Sequence, residues 1–104
     1  MVFIETPIFT RQLLVALTDD QYAGLQGMLM AHPDIGVLIR GGSGIRKIRW
    51  ATSGRGKSGG VRVVYFWRVA EAQIMLLTIY AKNEQTNLTP AQVRQLARYV
   101  EALK

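Results

Sequence analysis

Residues 44–67 read GIRKIRWATSGRGKSGGVRVVYFW and contain the densest cluster of positive charge in the chain. Two apolar, strand-like runs, IRKIRW and VRVVYFW, flank the polar segment SGRGKSGG. Such runs joined by a glycine-rich connection are typical of a β-hairpin. Of the thirteen Lys and Arg residues in the chain, this stretch holds Arg46, Lys47, Arg49, Arg55, Lys57 and Arg62. The sequence therefore predicts a cationic loop held between two strands.

The alternation of side chains along the two strands locates these cations. Ile48 and Trp50 are predicted to point to the core, which leaves Lys47 and Arg49 on the opposite face. Arg62 stands at the entry of the second strand, beside the glycine turn. With the strands paired antiparallel, the predicted cationic surface consists of Lys47, Arg49 and Arg62, with Arg55 and Lys57 above them. Lysine and arginine on strands usually form a solvated face, but no acid lies among these cations, so a polyanion site is predicted.

The composition is that of one small globular domain. With 104 residues, 49% of them hydrophobic, the chain can build a single core, and we expect one domain over residues 1–104. The formal charge of +6 and the pI near 10.2 favour a polyanionic partner, with nucleic acid as the leading candidate. The chain has no cysteine, which excludes a disulfide framework, a zinc finger and a thiol nucleophile.

Neither a metal site nor a membrane segment is expected. The seven acids are scattered along the chain, and no His, Asp and Glu cluster has the spacing of metal ligands. The longest apolar run, residues 74–80, is far shorter than the ~20 residues of a membrane helix, and the first residues lack a basic signal-peptide region. We therefore expect a cytoplasmic protein that uses no metal or other cofactor.

Helix and strand signals along the chain predict an α+β fold with the order β-α-α-β-β-β-α. The run QIMLLTIYA at residues 73–81 is apolar on both faces, which is typical of a strand covered on both sides. Residues 34–44 are predicted to form a loop, and Gly24 and Gly27 inside the second helix are predicted to allow close helix packing. Three helix starts are predicted from capping threonines, at Thr6-Pro7, at Thr18 with Gln21, and at Thr89-Pro90.

The segments RKIRWATSGRGKSGGVRVVYFW and LLTIYAKNEQTNLT resemble the RelE/HigB group of type II toxin–antitoxin toxins, within the RelE/ParE superfamily. The predicted element order is similar to the fold of that superfamily, a small, largely antiparallel sheet with an N-terminal helical hairpin and a C-terminal helix. The resemblance covers nearly the whole chain, and GRGKSGGVR and IYAKNE are its most specific parts. It implies a ribonuclease that enters the ribosomal A site and cleaves messenger RNA there. It also implies a cognate antitoxin, expected to be a helix-turn-helix DNA-binding protein, that holds the toxin inactive.

The resemblance implies roles for several cations. Arg62 in GVRVVY matches the strand arginine that such toxins place on the scissile phosphate, and Lys47 and Arg49 match two basic residues of the preceding strand. Lys82 lies beside the position at which RelE has a catalytic arginine and this chain has Asn83. The implied catalytic set is Arg62, Lys57, Lys47, Arg49 and Lys82, where Lys57 belongs to a loop similar to that of HigB. The implied RNA-binding set is Arg46, Lys47, Arg49, Arg55 and Lys57.

RelE also uses a tyrosine of its C-terminal region to stack on a base, and this chain differs there. Asn87 lies near the corresponding place, and Tyr99 lies well inside the last helix. Tyr80 is the candidate substitute, although a tyrosine in a strand is more often part of the core.

The residue types fit cleavage of RNA without a metal, in which the ribose 2′-hydroxyl is the nucleophile. The protein must then take a proton from this hydroxyl, stabilise the phosphorane and protonate the 5′-oxygen. The single histidine, His32, excludes a paired-histidine nuclease. Arginine stays protonated and suits the phosphate, a role we assign to Arg62. Crowded cations and desolvation favour a neutral lysine amine, so Lys57 or Lys47 is the candidate proton carrier.

Two other functions stay open for the same fold. One is a gyrase-poisoning toxin of the ParE type, and the other is a basic RNA-binding module without catalysis. ParE-like proteins generally lack this set of strand cations, and an RNA-binding module is expected to expose aromatic side chains for stacking. Trp50, Tyr65 and Trp67 are predicted to be buried, so the sequence favours the nuclease.

Overall fold

The computed structural model of the chain describes residues 1–50 and 60–104, which form helices on both faces of a β-sheet. The elements follow the order β1 (Val2–Glu5), α1 (Pro7–Ala16), α2 (Asp19–Ala31), β2 (Val37–Leu38), β3 (Arg46–Trp50), β4 (Val61–Arg68), β5 (Gln73–Ala81) and α3 (Pro90–Leu103). A short 3₁₀ turn, Val69–Glu71, joins β4 to β5. Within the described ranges, no helix is both long enough and apolar enough to span a membrane.

The strands form one sheet in the order β1-β5-β4-β3-β2. β1 runs parallel to β5, and the other neighbouring pairs are antiparallel. The predicted α+β fold, with a largely antiparallel sheet, two N-terminal helices and a C-terminal helix, is confirmed. The structure adds β2 inside the segment 34–44 that the sequence predicts as a loop. This two-residue strand forms by pairing with Arg46 and Lys47 of β3, a tertiary contact that local glycines conceal.

Each of the three α-helices begins at the predicted threonine. The side-chain oxygen of this threonine accepts a hydrogen bond from a backbone N–H of the first turn, and the pairs are Thr6 with Phe9, Thr18 with Gln21, and Thr89 with Gln92. In α2 and α3 the glutamine side chain also accepts the N–H of the capping threonine, which completes a capping box. Such a cap stabilises a helix by about 1 kcal/mol and fixes the residue at which the helix begins.

The sheet is covered on both faces. On the face covered by α1 and α2, called the α1–α2 face, the buried residues are Phe9, Leu17, Leu25, Leu29, Ile48, Val61, Val63, Tyr65, Ile74, Leu76 and Ile79. On the face covered by α3, called the α3 face, they are Ile45, Val64, Phe66, Met75, Leu77, Tyr80 and Val100. Because β5 contributes to both clusters, the prediction of a strand covered on both sides is confirmed.

A β-bulge in β5 changes which of its side chains face α3. Val64 of β4 pairs with Thr78, and the next residue of β4, Tyr65, pairs with Leu76. Leu77 therefore has no partner in β4 and is the extra residue. Met75 faces α3, and strict alternation from Met75 would turn Tyr80 to the opposite face. The extra residue instead brings Tyr80 into the α3 cluster.

The two glycines of α2 differ in their surroundings. A Cβ at Gly24 would lie 3.3 Å from Cζ2 of Trp50, whereas a Cβ at Gly27 would meet no described atom within 4 Å. The indole N–H of Trp50 donates to the backbone carbonyl of Gln21 at 3.1 Å, which anchors the ring. The close helix packing predicted at these glycines is therefore found at Gly24, where Trp50 of β3 approaches α2, and not at Gly27.

Candidate polyanion site on the α3 face

Three of the predicted site cations, all on β3 or β4, share the α3 face. Arg49 and Arg62 lie directly opposite each other in the antiparallel register, and Lys47 lies opposite Val64. Because Val64 and Ile45 belong to the α3 cluster, alternation places Lys47, Arg49 and Arg62 on that same face. Like charges directly opposite each other in a sheet are destabilising, and a bound anion removes this repulsion. The structure thus brings together three of the predicted site residues.

The loop between β5 and α3 holds Lys47. The Lys47 ammonium donates a hydrogen bond to Oδ1 of Asn87 at 2.9 Å. Gln85 in turn donates from Nε2 to the backbone carbonyl of Asn87 at 2.9 Å and to Oε1 of Gln92 at 3.1 Å. These amide contacts tie the loop to the first turn of α3. Since Asn87 is neutral, its bond orients the Lys47 ammonium without cancelling the charge.

Tyr80 stands next to Arg62 on this face. The two residues are opposite each other in the register of β4 and β5, and the tyrosine is 6% exposed. The Tyr80 hydroxyl is buried and has no hydrogen-bond partner among the described residues. Burial raises the pKa of this hydroxyl, and the positive charge of Arg62 opposes the rise. A neutral hydroxyl therefore lies beside the arginine that is the candidate phosphate ligand.

Arg46 has different surroundings from the other predicted cations. It lies opposite Tyr65 and so faces the α1–α2 side, whereas Lys47 faces α3. The Arg46 Nη1 donates to the carbonyl oxygens of Asp34 and Gly36 at 2.9 and 2.8 Å. The Tyr65 hydroxyl accepts the N–H of Gly36 at 2.9 Å. Arg46 and Tyr65 thus fix the segment that leads into β2, and an RNA contact by Arg46 stays a prediction.

The predicted site also includes three residues outside β3 and β4, namely Arg55, Lys57 and Lys82. Arg55 and Lys57 are outside the described residues. Lys82 is exposed directly after β5, and its backbone N–H donates to the carbonyl of Gly60 at 3.3 Å. Gly60 has a φ of +54°, a conformation that suits glycine. Lys82 therefore follows β5 at the end of the sheet where Arg62 enters β4.

The charge of the cations is not balanced within their own strands, because β3 and β4 contain no acidic residue. Elsewhere, Glu5 accepts hydrogen bonds from the hydroxyls of Thr10 and Tyr22, both at 2.6 Å. Glu101 pairs with Lys104 at 3.5 Å. Within residues 1–50 and 60–104, no group of three or more His, Asp and Glu side chains could hold a metal ion.

A groove of about 470 Å³ lies beside Tyr80, between α1 and α3. Leu88, Leu96 and Tyr99 line it together with Tyr80 and several glutamine side chains. The groove follows the part of β5 that extends beyond β1, where the side chain of Gln12 accepts the backbone N–H of Ile79 at 2.9 Å. Tyr80 belongs to both the groove and the α3 cluster, whereas Lys47, Arg49 and Arg62 do not line the groove.

Two of these contacts have no signal in the local sequence. The bond between Lys47 and Asn87 joins residues 40 positions apart, so no spacing rule indicates it. The place of Tyr80 beside Arg62 depends on the bulge at Leu77, and the apolar run of β5 shows no break in its composition there. Only the folded structure reveals both contacts.

Known proteins resemble this chain in sequence and in fold. The family of the RelE toxin of the RelE/RelB toxin–antitoxin system matches residues 37–104. The crystal structure of the intact E. coli RelBE toxin–antitoxin complex contains a chain similar to this one, with a TM-score of 0.59 and 15% identity over 77% of this chain and 94% of the matched chain. A doubly substituted E. coli toxin RelE in the free state is similar with a TM-score of 0.55 and 16% identity, over 95% of each chain.

The family match extends from β2 to the end of the chain, which is more than half of its length. It therefore includes both strands of the cationic hairpin and the loop that holds Lys47. The two solved structures independently show the same fold. The resemblance that the sequence suggests is confirmed, and the chain belongs to the RelE toxin family of toxin–antitoxin systems.

Proposed function

We propose that this RelE-family toxin is an endoribonuclease that cleaves messenger RNA on translating ribosomes and so inhibits translation. The observation that carries the proposal is the facing pair of Arg49 and Arg62, with Lys47 on the same face of the sheet. A phosphodiester bound there relieves the repulsion between the guanidinium groups and accepts their paired hydrogen bonds. The surrounding positive charge also favours association with the ribosome, which is a dense polyanion.

In the proposed reaction the ribose 2′-oxygen attacks the adjacent phosphorus. A bond from the 2′-oxygen to phosphorus forms while the bond to the 5′-oxygen breaks, so the products are a 2′,3′-cyclic phosphate and a 5′-hydroxyl. One proton leaves the 2′-oxygen and one reaches the 5′-oxygen. The phosphorane formed between these steps carries additional negative charge, which Arg62 stabilises with its permanently protonated, planar guanidinium. Arg49 binds the same phosphate from the facing strand.

Lysines are the proposed proton carriers. Lys47 is supported by its bond to Asn87, which holds the ammonium on the face that carries the two arginines. Lys57 is the other candidate for the base, and Lys82 is a further catalytic candidate at the end of β5. A lysine amine that takes the proton of the 2′-hydroxyl must be in its neutral form, and the ammonium that results can protonate the 5′-oxygen. The proposed chemistry uses no metal ion or other cofactor.

The proposal includes the partners of the toxin. Arg46, Lys47, Arg49, Arg55 and Lys57 form the proposed set of RNA contacts. The E. coli RelBE structure is a toxin–antitoxin complex. We therefore propose that a cognate antitoxin holds this toxin inactive, and that this antitoxin is a helix-turn-helix DNA-binding protein. We further propose that residues 1–104 act as one domain in the cytoplasm, where ribosomes translate.

The purified protein can be added to a translation reaction, and the new ends of the messenger mapped. We expect cuts only when ribosomes are translating, with 5′-hydroxyl and 2′,3′-cyclic phosphate ends. The same messenger without ribosomes is the control substrate. Ends that carry a 5′-phosphate would contradict attack by the 2′-hydroxyl. Arrested translation with intact messenger would contradict the nuclease, and inhibition of DNA gyrase would then favour the ParE-type alternative.

A further inference from the structure

In the described part of the chain, the Tyr80 hydroxyl is the buried side-chain polar atom that lacks a hydrogen-bond partner. Other tyrosines differ: the Tyr65 hydroxyl donates to the carbonyl of Pro33 at 2.8 Å and accepts the N–H of Gly36 at 2.9 Å. The Tyr22 hydroxyl donates to Glu5 at 2.6 Å. A buried hydroxyl without a partner destabilises a folded protein, because its hydrogen bond to water is lost and not replaced.

The location of this hydroxyl indicates which group could pair with it. Tyr80 lies opposite Arg62, and Arg62 lies opposite Arg49 on its other side. The bulge at Leu77 is what turns Tyr80 to this face. β-Bulges often re-aim a side chain next to a functional site. The unsatisfied donor is therefore in the same cross-strand row as the two arginines.

We propose that the Tyr80 hydroxyl donates a hydrogen bond to the RNA phosphate bound by Arg62, which makes Tyr80 a further catalytic residue. This inference rests on the proposed function, and it assigns Tyr80 a hydrogen bond to phosphate in place of the base stacking for which the sequence offers this residue. A phosphate has more acceptor positions than the two that one guanidinium fork occupies, so a third donor is accommodated. Hydrogen bonds to an ionised group are about twice as strong as neutral ones.

The protonation state of Tyr80 suits this role. Burial raises the pKa of the hydroxyl, so the hydroxyl keeps its proton at neutral pH and acts as a donor. An ionised tyrosine would repel the phosphate and could only accept hydrogen bonds. Tyr80 also lines the groove between α1 and α3.

Tyr80→Phe removes the hydroxyl and keeps the ring. On translating ribosomes we expect cleavage to fall by about 10- to 100-fold, the range for one hydrogen bond to a charged group. The midpoint of thermal unfolding should stay the same or rise, because an unsatisfied buried hydroxyl is removed. Slower cleavage with an unchanged or higher unfolding midpoint indicates a substrate contact. A purely structural role would instead lower the unfolding midpoint and leave the cleavage rate per folded molecule unchanged.

Tyr65→Phe is the matched control, because it removes the hydroxyl of a buried tyrosine that has two protein partners. We expect its unfolding midpoint to fall and its cleavage rate per folded molecule to stay within about twofold of the wild type. A Tyr80→Phe variant that cleaves at the wild-type rate overturns the inference.

A binding measurement distinguishes this inference from the nuclease function itself. A 2′-O-methyl oligoribonucleotide offers the phosphates but has no free 2′-hydroxyl for attack. We expect Tyr80→Phe to raise its dissociation constant by about 5- to 10-fold, and Tyr65→Phe to leave it unchanged. If the wild type does not cleave but this difference persists, the nuclease proposal fails and the hydroxyl–phosphate contact stands. Equal binding by the wild type and Tyr80→Phe, or binding by neither, overturns the contact.

Discussion

Arg49 of β3 and Arg62 of β4 lie directly opposite each other in the antiparallel register and share the α3 face. Like charges at such positions destabilise a sheet by about 0.2–1 kcal/mol. Lys47 stands two residues from Arg49 on the same face, and its partner Asn87 carries no charge. A pair of like charges at facing positions is expected where the ligand is an anion.

The first prediction compares two arginines of β3 that face opposite sides of the sheet. Arg49→Gln should weaken ribosome binding and reduce the slope of log K against log salt by about 0.7–0.9, the value for one lost phosphate contact. Arg46→Gln should lower the midpoint of thermal unfolding, because the bonds to Asp34 and Gly36 are lost. The measurement is ribosome binding across a salt titration.

The same titration decides the role of Arg46. An unchanged salt slope in Arg46→Gln would remove this residue from the RNA contacts, and a decrease equal to that of Arg49→Gln would retain it. An unchanged slope in Arg49→Gln would contradict an RNA-facing α3 surface.

The second prediction concerns the contact between Lys47 and Asn87. Asn87→Ala should reduce cleavage by about 5-fold, the equivalent of one hydrogen bond of about 1 kcal/mol, because the Lys47 ammonium is no longer oriented. Folding should change little, since Asn87 is exposed. Single-turnover cleavage and thermal unfolding of the same preparation check both expectations.

Asn87→Asp then tests which lysine carries the proton. A carboxylate beside Lys47 favours the protonated amine, which cannot act as a base. If Lys47 is the base, the rate at neutral pH falls and the pH–rate profile moves to higher pH. A profile that stays in place would exclude Lys47 and favour Lys57.

Local chemistry accounts for the parts of the fold that the sequence predicts correctly. The three helix starts follow from threonine caps, and the position of β5 follows from an apolar run with no polar face. The missed features all depend on tertiary pairing. β2 needs β3 as a partner, and the close approach at Gly24 depends on the ring of Trp50 from another element.

The same distinction applies to the candidate site. Alternation along β3 and β4 is enough to predict that Lys47, Arg49 and Arg62 lie on one face. It is not enough for Tyr80, because one extra residue in β5 inverts the alternation beyond Leu77. A bulge of this kind is stabilised by the neighbouring strand and by α1, whose Gln12 accepts the hydroxyl of Thr78 and the N–H of Ile79.

The third prediction concerns stability at high pH. Burial raises the pKa of Tyr22, Tyr65 and Tyr80 above the ordinary value of 10.0. Above pH 10 the folded state therefore holds more protons than the unfolded chain, and the free energy of unfolding decreases as the pH rises. Each tyrosine contributes a slope of at most about 1.4 kcal/mol per pH unit, and Tyr80→Phe removes one of these contributions. Urea unfolding of both proteins at several pH values above 10 measures the two slopes, and equal slopes would show that the fold does not protect the Tyr80 proton.

The fourth prediction separates chemistry from binding at Arg62. Arg62→Ala should stay folded and still bind the ribosome, because many other cations share the electrostatic contact. Arg62→Lys keeps the charge but loses the planar fork, so it should recover only part of the lost cleavage rate.

The most direct test is the single-turnover cleavage rate of messenger on programmed ribosomes, measured for the wild type and Arg62→Ala at ribosome saturation. The loss of one contact to the developing charge should lower the rate by about 100- to 1000-fold, equivalent to about 3–4 kcal/mol. Cleavage by the wild type and this loss in the variant are the results we expect. Cleavage by Arg62→Ala at the wild-type rate would contradict the assignment of the scissile phosphate to the facing arginines.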